Sequence, residues 1–218
     1  IKWHALLDHD GYIPAFVHIT NANVADVTVA RLFKLPAGSI IVMDRGYVDF
    51  SLFSQLHAKG ILFVTRMKRG MRYRVVERRE SDHAQGVTSD QSIQFTSTKA
   101  KNCRLGLRRV GYRDTETGKH YFFLTNVFEL SARTIADIYK ERWQVELFFK
   151  WIKQNLKIKS FVGTSKNAVM TQIWIALITL LMIAYYKFMA KLSLSFSQIL
   201  KLIRLSIFVR KNLKDLFK

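Results

Sequence analysis

Tyr139-Lys-Glu-Arg-Trp-Gln-Val-Glu-Leu-Phe-Phe-Lys-Trp-Ile-Lys153 contains neither Gly nor Pro and is rich in helix formers. Ser131 upstream is a suitable N-cap, so the stretch reads as one helix. Each helical residue advances about 100° around the axis. With Tyr139 at zero, Arg142 falls near 300°, Glu146 near 340° and Lys153 near 320°, so the four share an arc about 60° wide. Ile138, Val145, Phe149, Ile152 and Leu156 fill the neighbouring arc at roughly 220–280° and are expected to seat the helix on a core. One acid grouped with a phenol, a guanidinium and an ammonium has the character of a metal ligand beside a phosphate clamp.

A second stretch carries the same theme. In Ile40-Ile-Val-Met-Asp-Arg-Gly-Tyr47 a short apolar run ends in an acid, as a buried strand does when its end opens to solvent. Taken alone, Asp44 reads most simply as a strand-end residue capping the next loop. Paired with Glu146, it reads as a metal ligand.

The spacing Y-x2-R-x3-E-x6-K of Tyr139, Arg142, Glu146 and Lys153 resembles the signature of bacterial insertion-sequence transposases of the DDE type. The Asp-Arg-Gly-Tyr run resembles the strand that bears that family's second catalytic Asp. The resemblance covers most of the chain and fades beyond about Met189. It implies an α/β fold with a ribonuclease-H-like core, an Asp on the first strand, another ending the fourth and the Glu on a late helix. Asp44 and Glu146 would then be catalytic and bind metal, with Mg2+ as cofactor in a two-ion site. Magnesium suits a sparse carboxylate site because it keeps several of its waters. Tyr139, Arg142 and Lys153 would bind DNA by holding phosphates. Trp143, off the arc, either stacks on an unpaired base or packs. The expected partners are DNA, as transposon ends and target, and a second copy in a homodimer on DNA. The expected activity is metal-dependent cleavage and strand transfer. The chain reads as starting at the second strand, with the first Asp outside it, so this fragment alone is expected to be inactive. Asp8 and Asp10 read as turn residues.

Composition agrees with a polyanion partner. The 218 residues carry a net charge of +19, while 49% hydrophobic content supplies a substantial core. Cys103 is the lone cysteine, which excludes an internal disulfide and fits a reducing cytoplasm. No secretory leader opens the chain, and Ile1 reads as mid-strand in the downstream part of a longer protein.

Along the chain, Lys2–Leu7 and Ile13–Ile19 read as strands of a hairpin turned by Asp10-Gly11. A short helix at Val24–Leu35, a strand at Ser39–Met43, a helix at Phe50–Ala58 and a strand at Ile61–Thr65 follow. From Arg66 to about Phe128, β-like segments (Arg72–Val76, Ile93–Thr96, Arg104–Val110, His120–Leu124) alternate with polar turns and read as a β-rich insertion. The expected divisions are 1–65 and 129–190 as core, 66–128 as insertion, and 191–218 as a basic helical tail. The basic run Arg66–Arg74 reads equally as a phosphate-tracking ribbon or a charge-protected edge strand.

Ala168–Tyr186 is near the minimum length for a membrane span, but Thr171, Gln172 and Thr179 interrupt it, and it is expected to be a buried helix. No membrane partner is expected. The histidines lack the surrounding motifs of a hydrolase. A non-catalytic DNA-binding remnant of a transposase, or an integral membrane protein, remains the alternative function.

Overall fold

A computed structural model describes residues 1–100, 105–155, 163 and 165–206. Leu156, Cys103 and the tail from residue 207 lie outside these. The chain forms two compact units, Ile1–Leu6 with Phe16–Trp143, and Leu7–Ala15 with Gln144–Lys218.

The first unit is a mixed α/β structure. Strands β1 (Lys2–Leu7) and β2 (Pro14–Thr20) form a two-stranded sheet. Their turn closes through Asp8 N–H donating to Ile13 O at 2.8 Å, with Gly11 at φ +83° as the sequence requires. The main sheet has six strands: β3 (Ile40–Met43), β4 (Leu62–Arg66), β5 (Tyr73–Arg79), β6 (Val87–Phe95), β7 (Leu107–Arg113) and β8 (His120–Thr125), ordered β3-β4-β8-β7-β6-β5. β3 and β4 run parallel, in register from Ile40↔Leu62 to Met43↔Thr65. A parallel pair needs a crossover, and helix α2 (Phe50–Ala58) supplies it, capped by Asp49 accepting from Leu52 N–H at 2.8 Å.

The β-rich segment does not build a sheet of its own. Its last strand, β8, lies antiparallel against β4 (Val64↔Thr125, Arg66↔Phe123), so β5–β8 extend the sheet that carries Asp44.

Alternation along the strands gives both faces apolar side chains. Phe63, Leu124, Ile93 and Leu107 join α2 and the short helix α1 (Asp26–Ala30) in one core, where the Phe53 and Phe63 rings stack at 4.3 Å. Val64, Phe123, Val110 and Tyr112 turn to the other face and meet helix α3 (Ala132–Lys140). Polar groups trapped between the layers are paired. Asn126 accepts from Phe63 N–H at 2.8 Å and donates to Ile61 O at 3.1 Å. Asp90 takes Arg108 in a two-pronged bond of 2.8 and 2.7 Å.

The second unit is helical apart from the hairpin tip. It comprises α4 (Trp143–Asn155), α5 (Lys166–Met189) and α6 (Phe196–Ser206). Ser165 caps α5, and Ile183 packs with Ile199 and Leu200 of α6. By length and composition α5 could cross a membrane. One face (Ile173, Leu177, Leu180) is buried as expected, but the opposite one (Ile178, Met182, Tyr185, Phe188) is exposed.

The stretch from Tyr139 to Lys153 is two helices, not one. Ser131 caps the first as expected, accepting from Thr134 N–H at 3.1 Å. Helix α3 ends at Lys140, Glu141 and Arg142 form a turn, and α4 starts at Trp143. The shared arc therefore holds for Glu146 and Lys153 but not across the turn to Tyr139 and Arg142. The core stripe shifts too: Phe148 is buried at 8% exposure, Ile152 at 1%, and Phe149 is only half-buried.

Candidate active site

Asp44 stands at the open carboxyl end of β3, exposed to solvent. It does cap the next loop: its side chain accepts from Arg45 N–H and starts the 3₁₀ turn Arg45–Tyr47. Its own carbonyl accepts from Thr65 Oγ1 on β4 at 3.3 Å. Capping consumes one lone pair of one oxygen, so most of the carboxylate's acceptor capacity stays available for a cation.

Tyr139, near the end of α3, is a core residue, 8% exposed, its ring 4.9 Å from Phe123. Burial pushes its phenol above the ordinary tyrosine range; Arg142 pulls the other way, and the Asp44 carboxylate adds to the rise. The hydroxyl thus stays protonated and can donate, in the combined field of Asp44, Arg142 and Arg66. The Arg142 guanidinium sits 5.9 Å from the Tyr139 ring centroid.

Tyr139 and Arg142 border a cleft of about 260 Å³ whose walls include Tyr112, Tyr121 and Phe123, with Arg66, Lys140, Arg142 and the acid Asp114 supplying charge. Trp143 also lines it and is 55% exposed. The Arg66 guanidinium lies 4.7 Å over the Tyr121 ring, and Lys140 lies 5.7 Å from that of Tyr112. The Tyr112 hydroxyl is buried with no hydrogen-bond partner among the described residues. Flat aromatic walls with guanidinium and ammonium groups suit a planar ring carrying a phosphate.

Sequence reasoning did not single out Tyr112, Tyr121 or Lys140 as site residues, and took Arg66 only as the first residue of the basic run Arg66–Arg74. Arg66 had a usable signal, since it ends the strand paired with the Asp44 strand. The tyrosines had none, because strands β7 and β8 reach the site only through sheet pairing.

Glu146 and Lys153 are exposed on α4. Two turns separate them, which brings them to about the same side of the helix. The structure thus groups Asp44, Tyr139, Arg142 and Trp143 in the first unit, and Glu146 with Lys153 on α4.

Among the described residues, no three His, Cys, Asp or Glu side chains gather into a ready metal cage. Hard, exposed carboxylate oxygen at a strand end, without nitrogen or sulfur donors, still fits magnesium, which tolerates few protein ligands and retains water.

Comparison with known proteins identifies the family. A family model described as "Transposase DDE domain" matches residues 1–182. The chain is 35% identical over 182 residues to a protein of Sinorhizobium fredii named as a transposase, covering 82% of this chain and 51% of that one. It is 31% identical over 188 residues to a named insertion-sequence transposase of Geobacillus stearothermophilus, covering 85% of this chain and 49% of the relative. A third, named for an insertion sequence of Synechocystis, is 24% identical over 157 residues, covering 69% and 42%. The chain spans about half the length of these relatives. The matched region runs through both the Asp44 strand and the Glu146 helix, and the chain belongs to the DDE transposase family.

Proposed function

We propose that this chain is part of the catalytic domain of an insertion-sequence transposase with a ribonuclease-H-like core. It cuts and joins DNA by metal-dependent phosphoryl transfer. The observation that supports the reading is the aromatic cleft in which Tyr139 and Arg142 stand with Arg66 and Lys140, the Asp44 charge acting on the Tyr139 phenol.

In this reading Asp44 and Glu146 are the residues that would hold Mg2+, which would supply activation of a water or a 3′-hydroxyl and charge neutralisation at the leaving oxygen. The chain's own residues do the positioning. Arg142 presents a flat fork to two phosphate oxygens, Lys153 contributes a point charge, and the Tyr139 hydroxyl donates a hydrogen bond. Trp143 offers its exposed face to an unstacked base at the cleft. In-line phosphoryl transfer demands little covalent chemistry from protein groups, so alignment and charge neutralisation supply most of the acceleration. The net charge of +19 draws DNA to the surface.

The substrates are transposon ends and target DNA. The working form is a homodimer on DNA in the cytoplasm, with no membrane role.

The test uses the intact protein and labelled end DNA in Mg2+. Asp44→Ala and Glu146→Ala should each abolish cleavage while leaving end binding in EDTA within a fewfold of the parent. Cleavage surviving either change would overturn the metal-site reading.

A further inference from the structure

Asp26 has no role in the site described above, yet its carboxylate is where three elements meet. Oδ1 pairs with Lys2 Nζ at 2.8 Å and faces His4 Nδ1 at 3.3 Å. Lys2 and His4 are two residues apart on β1 and so point to the same side of that strand. His4 is 2% exposed, and its Nε2 pairs with Thr20 Oγ1 of β2 at 2.9 Å. The other oxygen, Oδ2, looks at Gly46: a side-chain carbon there would lie 3.6 Å from it. One carboxylate therefore sits between the hairpin and the turn that starts at Asp44.

The simplest alternative is a helix-start acid favoured by the dipole. Helix α1 is a poor case for it: it has five residues, and its N-cap, Ala25, makes no side-chain bond. A plain surface ion pair is the other alternative, and such pairs contribute little. Here, however, one partner of Asp26 is buried, and its other carboxylate oxygen faces Gly46 in the turn after the candidate metal ligand.

The Asp44 end of β3 needs such support. Thr65 holds the Asp44 carbonyl from the β4 side, and the turn beyond is closed by Tyr47 N–H donating to Asp44 O at 3.0 Å and Val48 N–H donating to Arg45 O at 3.2 Å. An exposed carboxylate must still be held to a fraction of an ångström to bind a cation productively. We propose that Asp26 is a positioning residue for Asp44: anchored by Lys2 and His4, its carboxylate fixes the Asp44–Tyr47 turn and so sets the direction in which Asp44 presents its oxygens. This inference rests on the reading of Asp44 as a magnesium ligand.

The experiment compares the intact protein with its Asp26→Asn, Lys2→Met and Asp44→Ala variants by four measurements. These are Mg2+ dependence of end cleavage, Mn2+ affinity by electron paramagnetic resonance, end binding in EDTA, and amide hydrogen exchange at Tyr47 and Val48. Asp26→Asn should speed exchange at those two amides while leaving the strand β4 amides protected. It should raise the half-saturating Mg2+ and the Mn2+ dissociation constant severalfold, and slow cleavage roughly 10- to 100-fold, as a small misplacement of a reacting group does. End binding in EDTA should not change. Lys2→Met should move every readout in the same direction by less, and it serves if Asp26→Asn fails to fold. Unchanged exchange and metal affinity in both variants would overturn the proposal, as would a loss confined to end binding and thermal stability. If Asp44→Ala abolishes cleavage while both variants behave as the parent, positioning by Asp26 is wrong and the metal-site reading stands. If Asp44→Ala cleaves normally, both fall.

Discussion

The Arg142 guanidinium lies 5.9 Å from the centre of the Tyr139 ring, and the peptide N–H of Arg142 donates to the Tyr139 carbonyl at 3.1 Å. The turn that interrupts the helix thus folds the arginine back onto the tyrosine, giving the two residues different duties. Tyr139 is held by the core, whereas Arg142 is held by Tyr139.

That difference predicts separable mutants. Tyr139→Ala removes a ring packed against Phe123 and should cost roughly 3–5 kcal/mol of stability. Tyr139→Phe keeps the packing and loses only the hydroxyl, so its melt should stay near the parent while cleavage slows. Arg142→Lys keeps the charge but loses the flat fork, and should weaken end binding by about 1.5–3 kcal/mol with little change in its salt dependence. Paired melts and binding titrations at two salt concentrations check all three. An early melt with normal end binding for Arg142→Lys would make the arginine structural.

On α4 the burial pattern ranks two adjacent phenylalanines. Phe148 is buried and Phe149 is half-buried. Phe148→Ala should cost roughly 3–5 kcal/mol and Phe149→Ala clearly less, because less area leaves water on folding. Urea unfolding of the two variants tests the order, and equal costs would mean that the Phe149 ring is as well packed as Phe148.

The Asp90–Arg108 pair is buried between β6, β7 and the chain after β8, where Arg108 also donates to Leu130 O at 2.6 Å. Arg108→Met would strand a carboxylate in the core and should cost roughly 3–5 kcal/mol. Adding Asp90→Leu removes the stranded charge and should recover most of that loss. A double-mutant cycle by chemical denaturation gives the coupling. Additive losses would show that water reaches Asp90.

His4 makes stability depend on pH. Burial lowers its pKa below the ordinary 6.5; Asp26 opposes the shift, while Lys2 and His18 assist it. The unfolded chain then binds the proton more readily than the folded one. His4 should therefore destabilise the fold as the pH falls below about 6.5, levelling off once the folded form is also protonated. His4→Gln should flatten the loss of melting temperature between pH 7.5 and 5.5. A variant that loses stability as steeply as the parent would place the acid sensitivity elsewhere.

Local chemistry made much of this molecule legible in its sequence. Asp10-Gly11 sets the hairpin turn because Gly takes a positive φ freely. Apolar runs ending in polar residues set β3, α2 and β4 to within a residue or two, and Ser131 sets the start of α3. The excess of Lys and Arg is legible as a polyanion-binding surface, and the spacing of Tyr139, Arg142, Glu146 and Lys153 as a resemblance to transposases.

What the sequence could not decide depends on long-range burial. Nothing in Lys140-Glu-Arg-Trp143 breaks a helix by propensity, yet the chain turns at Glu141 and Arg142, directly after Tyr139 packs against Phe123. The placement of β8 beside β4 brings Tyr121 and Phe123 to the cleft, and it follows from pairing between segments remote in sequence. Asp26 meets Lys2, His4 and Gly46 for the same reason. Turns, caps and periodicity are fixed by neighbours along the chain, so the sequence alone determines them. Which distant side chains share a site depends on which apolar faces are buried together, and only the tertiary structure settles that.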